Sequence, residues 1–318
     1  MCEEHSKYSD FIPNLKKETG ISKRRMPTEW LEDIFLEAKK LGVKEIIPST
    51  MGEPLLYSGF ERIIFLCKKF SIKLNLTTNG TFPKKDIHTW AELLIPVCSD
   101  IKISWNGSTA TTAQKVMEGI SYTKNLENIK QLIAYRDVYF QKTSIYCKIT
   151  LQLTFLDSNM HELSDIIKLA ASLGVDRVKG HHLWAHFSEI KNLSMRYSEE
   201  NRKKWNQYVE DAILTSNQYL KKDGKKVILE NIIPLSEENR EIVPDNYNCP
   251  FLGKEIWISA TGKISPCCAP DKERDSLGDF GNIQTKNIEE TLKSQLYENL
   301  KKNYKSLPLC KTCNMRKP

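Results

Sequence analysis

The chain has 318 residues, 40% hydrophobic and 27% charged, with 47 Lys and Arg against 40 Asp and Glu for a net charge of +7. A chain this long buries about three quarters of its unfolded surface without covalent staples, so its nine cysteines are not read as a disulfide scaffold. Apolar runs such as residues 93–98 fall far short of the roughly 20 residues that span a bilayer, and Met1-Cys2-Glu3-Glu4-His5 lacks the basic and apolar stretches of a signal peptide. Disordered, secreted disulfide-rich and transmembrane classes are thereby set aside, and a soluble cytoplasmic protein of about two domains is expected, with no membrane partner.

In chain order the signals alternate. A polar start precedes an amphipathic helix marked by Trp30, Leu31, Ile34, Phe35, Ala38 and Leu41, whose three- and four-residue steps place them on one face. Thr28 is its candidate N-cap and Gly42 its stop. A strand over 43–48 follows. Then come a helix over 58–70, a strand over 72–77, a helix over 84–95 and a strand over 101–105. A long helix over 112–137, a strand over 144–154, a helix over 161–173 and a strand over 176–180 complete the pattern. Strand starts near 43, 72, 101, 144 and 176 lie 29, 29, 43 and 32 residues apart, the spacing of βαβ units and a parallel sheet. Periodicity alone fits a partial barrel and a doubly wound sheet equally. No strand precedes the first helix, although a barrel of this kind starts with one.

The pattern changes after a long polar helix over 198–219. Residues 1–226 are expected to form the first domain, 227–248 an irregular linker, and 249–318 a small second domain. In that domain Glu255–Ser259 and Lys263–Ser265 flank Ala260-Thr261-Gly262, a short hairpin signal. The basic clusters, among them Lys23-Arg24-Arg25 and Lys221-Lys222, are scattered along the chain instead of forming one stripe, which argues against a nucleic-acid partner.

Five cysteines fall in the last 70 residues: Cys249, Cys267, Cys268, Cys310 and Cys313. A Cys-x-x-Cys pair near the end and two cysteines beside a hairpin can converge as four thiolates, which suit zinc or an iron–sulfur cluster. Cys67, Cys98 and Cys147 read as small buried hydrophobes. The run Cys249-x12-Gly262-x4-Cys267 with a distant Cys310-x-x-Cys313 resembles the Twitch arrangement of radical S-adenosylmethionine (SAM) enzymes that carry a C-terminal SPASM/Twitch domain. The surrounding Trp257–Lys263 and Leu277–Ile283 segments are similar to that domain too.

Met51-Gly52-Glu53-Pro54 resembles the family's Gly-Gly-Glu-Pro loop, with Met51 in place of the first Gly. Thr77-Thr78-Asn79-Gly80-Thr81 and Ile103-Ser104-Trp105-Asn106-Gly107 follow the next strands, at the ends where such barrels place their sites. The resemblance implies an α/β fold: a partial (β/α)6 TIM-like barrel lacking its first strand, plus a small C-terminal β-hairpin/helix Fe–S domain. It implies SAM contacts from Gly52, Glu53, Pro54, Thr78, Asn79, Ser104 and Thr154. It also implies an auxiliary [4Fe–4S] cluster on Cys249, Cys267, Cys310 and Cys313. Cys268 could replace Cys267, but the Gly-x4-Cys spacing favours Cys267.

One departure matters. The family holds its SAM-binding [4Fe–4S] cluster by Cys-x3-Cys-x2-Cys, and only Cys2 stands here, at the place of the last of the three. The sequence is expected to begin inside the motif, with Met1 an internal methionine. The implied activity is a radical SAM oxidoreductase. An electron from a flavodoxin- or ferredoxin-type donor cleaves S-adenosyl-L-methionine to a 5′-deoxyadenosyl radical. That radical abstracts hydrogen from a peptide or small-molecule substrate, and the auxiliary cluster accepts an electron. The alternative is a non-catalytic Fe–S or zinc-binding interaction protein. His181, His182 and His186 are candidate proton acceptors near the barrel mouth, with surface or satisfied histidines the plainer reading. Asp271 is undecided in the same way.

Overall fold

The computed structural model describes residue 4 and residues 6–48, 52–236 and 243–317. The backbone divides into two compact units, Lys44–Ser236 and Met1–Val43 together with Glu237–Pro318. Sequence pattern alone drew its boundaries at 226 and 248. No helix among the described residues is long and apolar enough to cross a membrane.

Two helices precede the sheet, α1 (Phe11–Thr19) and α2 (Leu31–Lys40). The sheet unit then runs β1 (Glu45–Ile46), α3 (Phe60–Phe70), β2 (Lys73–Thr78), α4 (Ile87–Leu94), β3 (Cys98–Ser104), α5 (Ala110–Val116) and α6 (Tyr122–Thr143). It continues through β4 (Lys148–Phe155), α7 (Leu163–Leu173), β5 (Arg177–His182), α8 (Glu199–Gln218) and β6 (Ile228–Glu230). The six strands lie in chain order and every neighbouring pair is parallel. Right-handed crossovers in that order put all helices on one face, whereas a doubly wound sheet reverses its order. The architecture is therefore the TIM-like, barrel-forming kind.

Several expectations change in detail. The polar start contains α1, stopped by Gly20 in the left-handed region. Thr28 opens a 3₁₀ turn and makes no side-chain cap. The helix expected over 112–137 is two helices, because Gly119 takes φ 82° and the Ser121 hydroxyl accepts from the Lys124 N–H to start α6. β6 lies inside the expected linker. Three residues are too few to show a period of two.

Register separates the two faces of the sheet. On the helix side, Leu74, Leu76, Ile101, Ile103, Ile149, Leu151, Leu153 and Val178 are buried. They form a core with Trp90 of α4, Ile129 and Leu132 of α6, Ile166 of α7 and Trp205 of α8. Gly180 belongs to this face: a Cβ there would stand 2.2 Å from the Phe155 ring, so the aromatic packs only because the side chain is missing.

The opposite face is polar apart from Ile228 on the edge strand β6. Paired positions run Asn75–Asp100, Thr77–Lys102, Ser104–Gln152, Lys102–Thr150–Arg177, Gln152–Lys179–Glu230 and Thr154–His181. The Asn75 amide donates to Glu45 at 3.1 Å and accepts from Lys102 at 2.5 Å. Asp100 accepts from Thr150 at 2.8 Å and pairs with Arg177. Glu230 holds Arg177 at 2.6 Å and Lys179 at 2.8 Å. Burial lowers the Lys102 pKa from the usual lysine range, with Asp100 opposing and Lys179 and Arg177 reinforcing. Barrel interiors are commonly filled by branched aliphatics; this one is hydrophilic and charged.

In the other unit, β7 (Trp257–Ile258) and β8 (Ile264–Ser265) form an antiparallel hairpin. They are followed by α9 (Asp271–Arg274), α10 (Ile288–Leu292), α11 (Gln295–Asn303) and α12 (Pro308–Lys311). Ile264, Leu277, Phe280, Tyr297 and Leu300 form its core, with Cys267 and Cys310 packed against them. Glu37 of α2 accepts the Ile288 N–H at 2.7 Å, a carboxylate at the start of α10, where the helix dipole favours negative charge.

Candidate active site and cluster site

The loops leaving the C-terminal ends of β1 to β4 are tied into a rim. Glu53, half-buried, accepts from its own Leu55 N–H at 3.2 Å, from the Thr78 hydroxyl at 2.9 Å and from the Asn79 N–H at 2.7 Å. Burial raises its carboxyl above the usual range, against the pull of these three bonds. Pro54 is buried behind it and Gly52 lies exposed in front. The Asn79 side chain accepts from the Thr81 N–H and hydroxyl at 2.9 and 2.7 Å. Two buried asparagines of α6 hold this second loop from below: Asn125 donates to Asn79 O at 2.9 Å and Asn128 to Gly80 O at 3.0 Å. Gly80 sits at φ 80°, with Ile103 2.9 Å from where a Cβ would be. Lys84 closes the circuit to the first loop by donating to Leu56 O at 2.8 Å.

Ser104 and Thr154 stand on the polar face at the ends of β3 and β4. The Thr154 N–H donates to the Asn106 side chain at 2.7 Å, and Asn159 donates to Thr154 O and to Asn106 O, each at 3.1 Å. Of the three histidines, only His181 is on the polar face, opposite Thr154. Its Nδ1 lies 3.5 Å from the Asn231 amide. His182 faces the helices, packed against Phe155 and Trp205 with centroids at 5.2 and 4.8 Å. Burial, aided by Arg196 and His181, lowers its pKa to about 3. That side chain lies on the helix side of the strand and not on the polar face, which leaves His181 as the strand histidine facing the barrel interior. His186 stacks on Trp184 at 5.3 Å. Cys2, Met51 and the Asp271 side chain lie outside the described residues.

The structure thus links Glu53, Thr78 and Asn79 directly, and holds Thr154 to the loop that follows Ser104. Sequence reading passed over Asn125, Asn128, Asn159 and Glu162. The available signal was polar residues on the buried side of helical segments, where an amide or carboxylate needs a partner.

In the smaller unit, backbone bonds gather the cysteines. Asn248 and Lys317 exchange N–H···O bonds at 2.7 and 3.0 Å, which sets the residue before Cys249 beside the chain end. The Arg316 guanidinium donates to Cys310 O at 3.1 Å, Tyr247 O at 2.8 Å and Pro244 O at 2.8 Å. The Tyr304 hydroxyl accepts the Cys249 N–H at 3.1 Å. N–H groups of Leu252 and Ala269 point at the sulfurs of Cys249 and Cys267, each at 3.4 Å, as donors do around thiolate-ligated clusters.

The thiols also act on one another. Burial and the charges of Cys267, Cys313 and Cys249 push Cys310 up to about 12. Cys313 rises to about 11, chiefly by burial. Cys267 falls to about 7 through a hydrogen bond from Cys268, with help from Ala269 N–H and Arg274. The mutual electrostatic influence of Cys249, Cys267, Cys310 and Cys313 places these thiols near one another, although among the described residues no group of three or more Cys, His, Asp or Glu is arranged to hold a metal ion. Cys67 and Cys98, by contrast, are buried and raised by burial, inert core thiols.

A family model for the radical SAM superfamily matches residues 2–170, and one for the SPASM iron–sulfur cluster-binding domain matches residues 249–314. Among solved structures, Streptococcus suis SuiB bound to precursor peptide SuiA superposes with a TM-score of 0.63 at 18% identity, covering 92% of this chain and 65% of SuiB. SuiB bound to S-adenosylmethionine gives 0.59 at 19%, covering 91% and 65%. The anSMEcpe enzyme with bound AdoMet and Cp18Cys peptide gives 0.59 at 16%, covering 91% and 78%. The chain therefore spans about two thirds of the length of SuiB, and the likeness carries the fold. None of the curated proteins matches the chain in sequence.

Proposed function

Because the chain belongs to the radical SAM superfamily, we propose that it binds S-adenosyl-L-methionine on the rim formed by the loops after β1 to β4 and modifies a peptide. The observation that carries this reading is the Glu53 tie. One carboxylate joins Gly52-Glu53-Pro54 to Thr78 and Asn79, fixing two rim loops at the C-terminal ends of adjacent parallel strands.

In this reading Glu53, Thr78 and Asn79 shape the cradle, and the exposed Gly52 lets backbone approach the amino group. Ser104 and Thr154 present hydroxyls to the ribose side. Cys249, Cys267, Cys310 and Cys313 would hold the auxiliary [4Fe–4S] cluster, and Cys2 would contribute to the SAM-binding one. Bound SAM and its clusters supply one-electron reductive cleavage, hydrogen abstraction from substrate and an acceptor for the substrate electron. The polar inner face, with Lys102, Gln152, Lys179 and His181, offers hydrogen bonds to a hydrophilic substrate segment. The peptide-bound states of SuiB and anSMEcpe support a peptide over a smaller metabolite. A flavodoxin- or ferredoxin-type protein is the proposed electron donor.

The test is anaerobic reconstitution, with iron and sulfide, of the protein carrying all three cysteines of the Cys-x3-Cys-x2-Cys motif that ends at Cys2, then incubation with SAM and dithionite. Formation of 5′-deoxyadenosine supports the reading. A reconstituted, brown protein that binds SAM but releases none favours the non-catalytic interaction protein. A colourless zinc protein would remove the auxiliary cluster.

A further inference from the structure

The segment just after β4 makes more side-chain hydrogen bonds to the preceding rim loop than its length requires. Asn159 and Glu162 bracket one 3₁₀ turn, Met160–Glu162, and both side chains are buried. Glu162 accepts from the Ser108 N–H at 2.5 Å, the Ser108 hydroxyl at 2.9 Å and the Thr109 N–H at 3.2 Å. It also accepts from the Thr109 hydroxyl at 3.0 Å and the Thr112 hydroxyl at 2.5 Å. Four of these donors lie on the two residues that start the turn into α5. The Tyr122 hydroxyl grips the same loop from α6, donating to Ser108 O at 2.5 Å.

Asn159 uses its whole amide. Its Nδ2 donates to Asn106 O and Thr154 O, and its Oδ1 accepts the Leu156 N–H at 3.0 Å. Asn106 in turn accepts the Thr154 N–H. The backbone N–H and C=O of Thr154 are thus both held by side chains of this clip. Neither Asn159 nor Glu162 stands on the polar face; Asn159 acts through the Thr154 backbone, and Glu162 through the turn into α5 that follows Ser104.

We propose that Asn159 and Glu162 are positioning residues that fix the loops following Ser104 and Thr154, at the ends of β3 and β4, in the geometry SAM requires. This rests on the reading of the rim as the SAM site. The physical reason is that each loop alone has no ladder partner beyond the strand ends, so its polar groups would be bound by water in many geometries. Buried acceptors with several donors select one geometry before ligand arrives. A displacement of about 1 Å at such a site lowers rates about a hundredfold, so the arrangement has leverage although it touches no ligand.

The experiment measures S-adenosylhomocysteine binding by calorimetry on the full chain, with amide hydrogen exchange of residues 104–112 as a second readout. Asn159→Ala and the isosteric Glu162→Gln are expected to weaken binding about tenfold, the factor about 1.4 kcal/mol represents. Exchange over 104–112 is expected to speed up while that of β2 stays unchanged. Variants that exchange faster in 104–112 yet bind within twofold of the wild type would overturn the positioning role and leave the SAM site standing. A wild-type chain that binds no S-adenosylhomocysteine would overturn the site itself, and this inference with it. Should Asn159→Ala not fold, Glu162→Gln carries the test, since it keeps shape and two heteroatoms while removing the charge that the five donors share.

Discussion

Asp176→Ala is the perturbation whose outcome the structure specifies most fully. Asp176 lies just before β5 at the N-terminal end of the sheet and is 8% exposed. Its carboxylate accepts from Arg136 of α6 at 2.7 Å, the Tyr146 hydroxyl at 2.5 Å, the Ile149 N–H at 2.9 Å and Lys221 at 3.2 Å. Arg136 is itself buried and also donates to Gly174 O at 3.1 Å. Removing one partner of a buried ion pair costs about 3–5 kcal/mol when the other is left unpaired; Arg136 keeps Asp137 at 2.5 Å, so the loss lies toward the low end of that range. The lost Ile149 N–H bond, at the start of β4, adds about 1 kcal/mol. With a urea dependence of about 2–3 kcal/mol per molar, the sheet unit should unfold about 1–2 M earlier. Arg136→Met combined with Asp176→Leu should recover part of the loss, because an apolar pair of similar volume leaves no buried guanidinium or carboxylate, while Lys221 keeps only Asp223 at 3.8 Å. Binding of S-adenosylhomocysteine should be unchanged at low urea, because this end of a barrel serves stability and the opposite end serves the site. The assay is urea unfolding followed by far-UV circular dichroism for wild type, both singles and the double. A single-variant loss under about 1 kcal/mol, or a double no better than the singles, would refute the view that this buried pair anchors α6 to the sheet.

Three further outcomes follow from the same coordinates. Gly180→Ala should lose about 1–3 kcal/mol by overpacking against Phe155, and Phe155→Leu in the same chain should restore part of it in thermal melts. Glu162 is held below its ordinary pKa because hydrogen bonds from Thr112, Ser108 and Thr109 outweigh burial. Its contribution is therefore full above the unfolded value of about 4.3 and is lost as pH falls through the lower folded value. The stability advantage of wild type over Glu162→Gln should accordingly shrink in acid, read from urea midpoints at stepped pH. Finally, Cys267→Ser should cut bound iron and sulfide after reconstitution, whereas Cys268→Ser should retain both. Equal loss from the two variants would show that the ligand choice is wrong.

How much was legible varies by element. β2, α3 and α7 were plain because each carries a full amphipathic period, and α7 also ends at Gly174, in the left-handed region. β6 was hidden because three residues hold no period, and the break at Gly119 was hidden because helical residues continue on both sides. Glu53, Thr78 and Asn79 could be picked out as turn residues at successive strand ends, but no spacing rule says that one carboxylate bonds both others.

The order of alternating strands and helices, the cysteine spacing and the loop motifs are local properties of the chain, and the sequence alone determined them: a parallel α/β sheet followed by a thiolate-rich module. What only the tertiary structure decided is which residues meet across long stretches of chain. Register put Lys102, Arg177, Lys179 and Glu230 on one polar face. It turned His181 inward to that face and sent His182 to the core. It also brought Glu162 to a loop some fifty residues earlier. Such pairings depend on strand register and on crossover lengths that period and composition leave free, because a shift of one residue exchanges the two faces of a strand without altering its hydrophobic content.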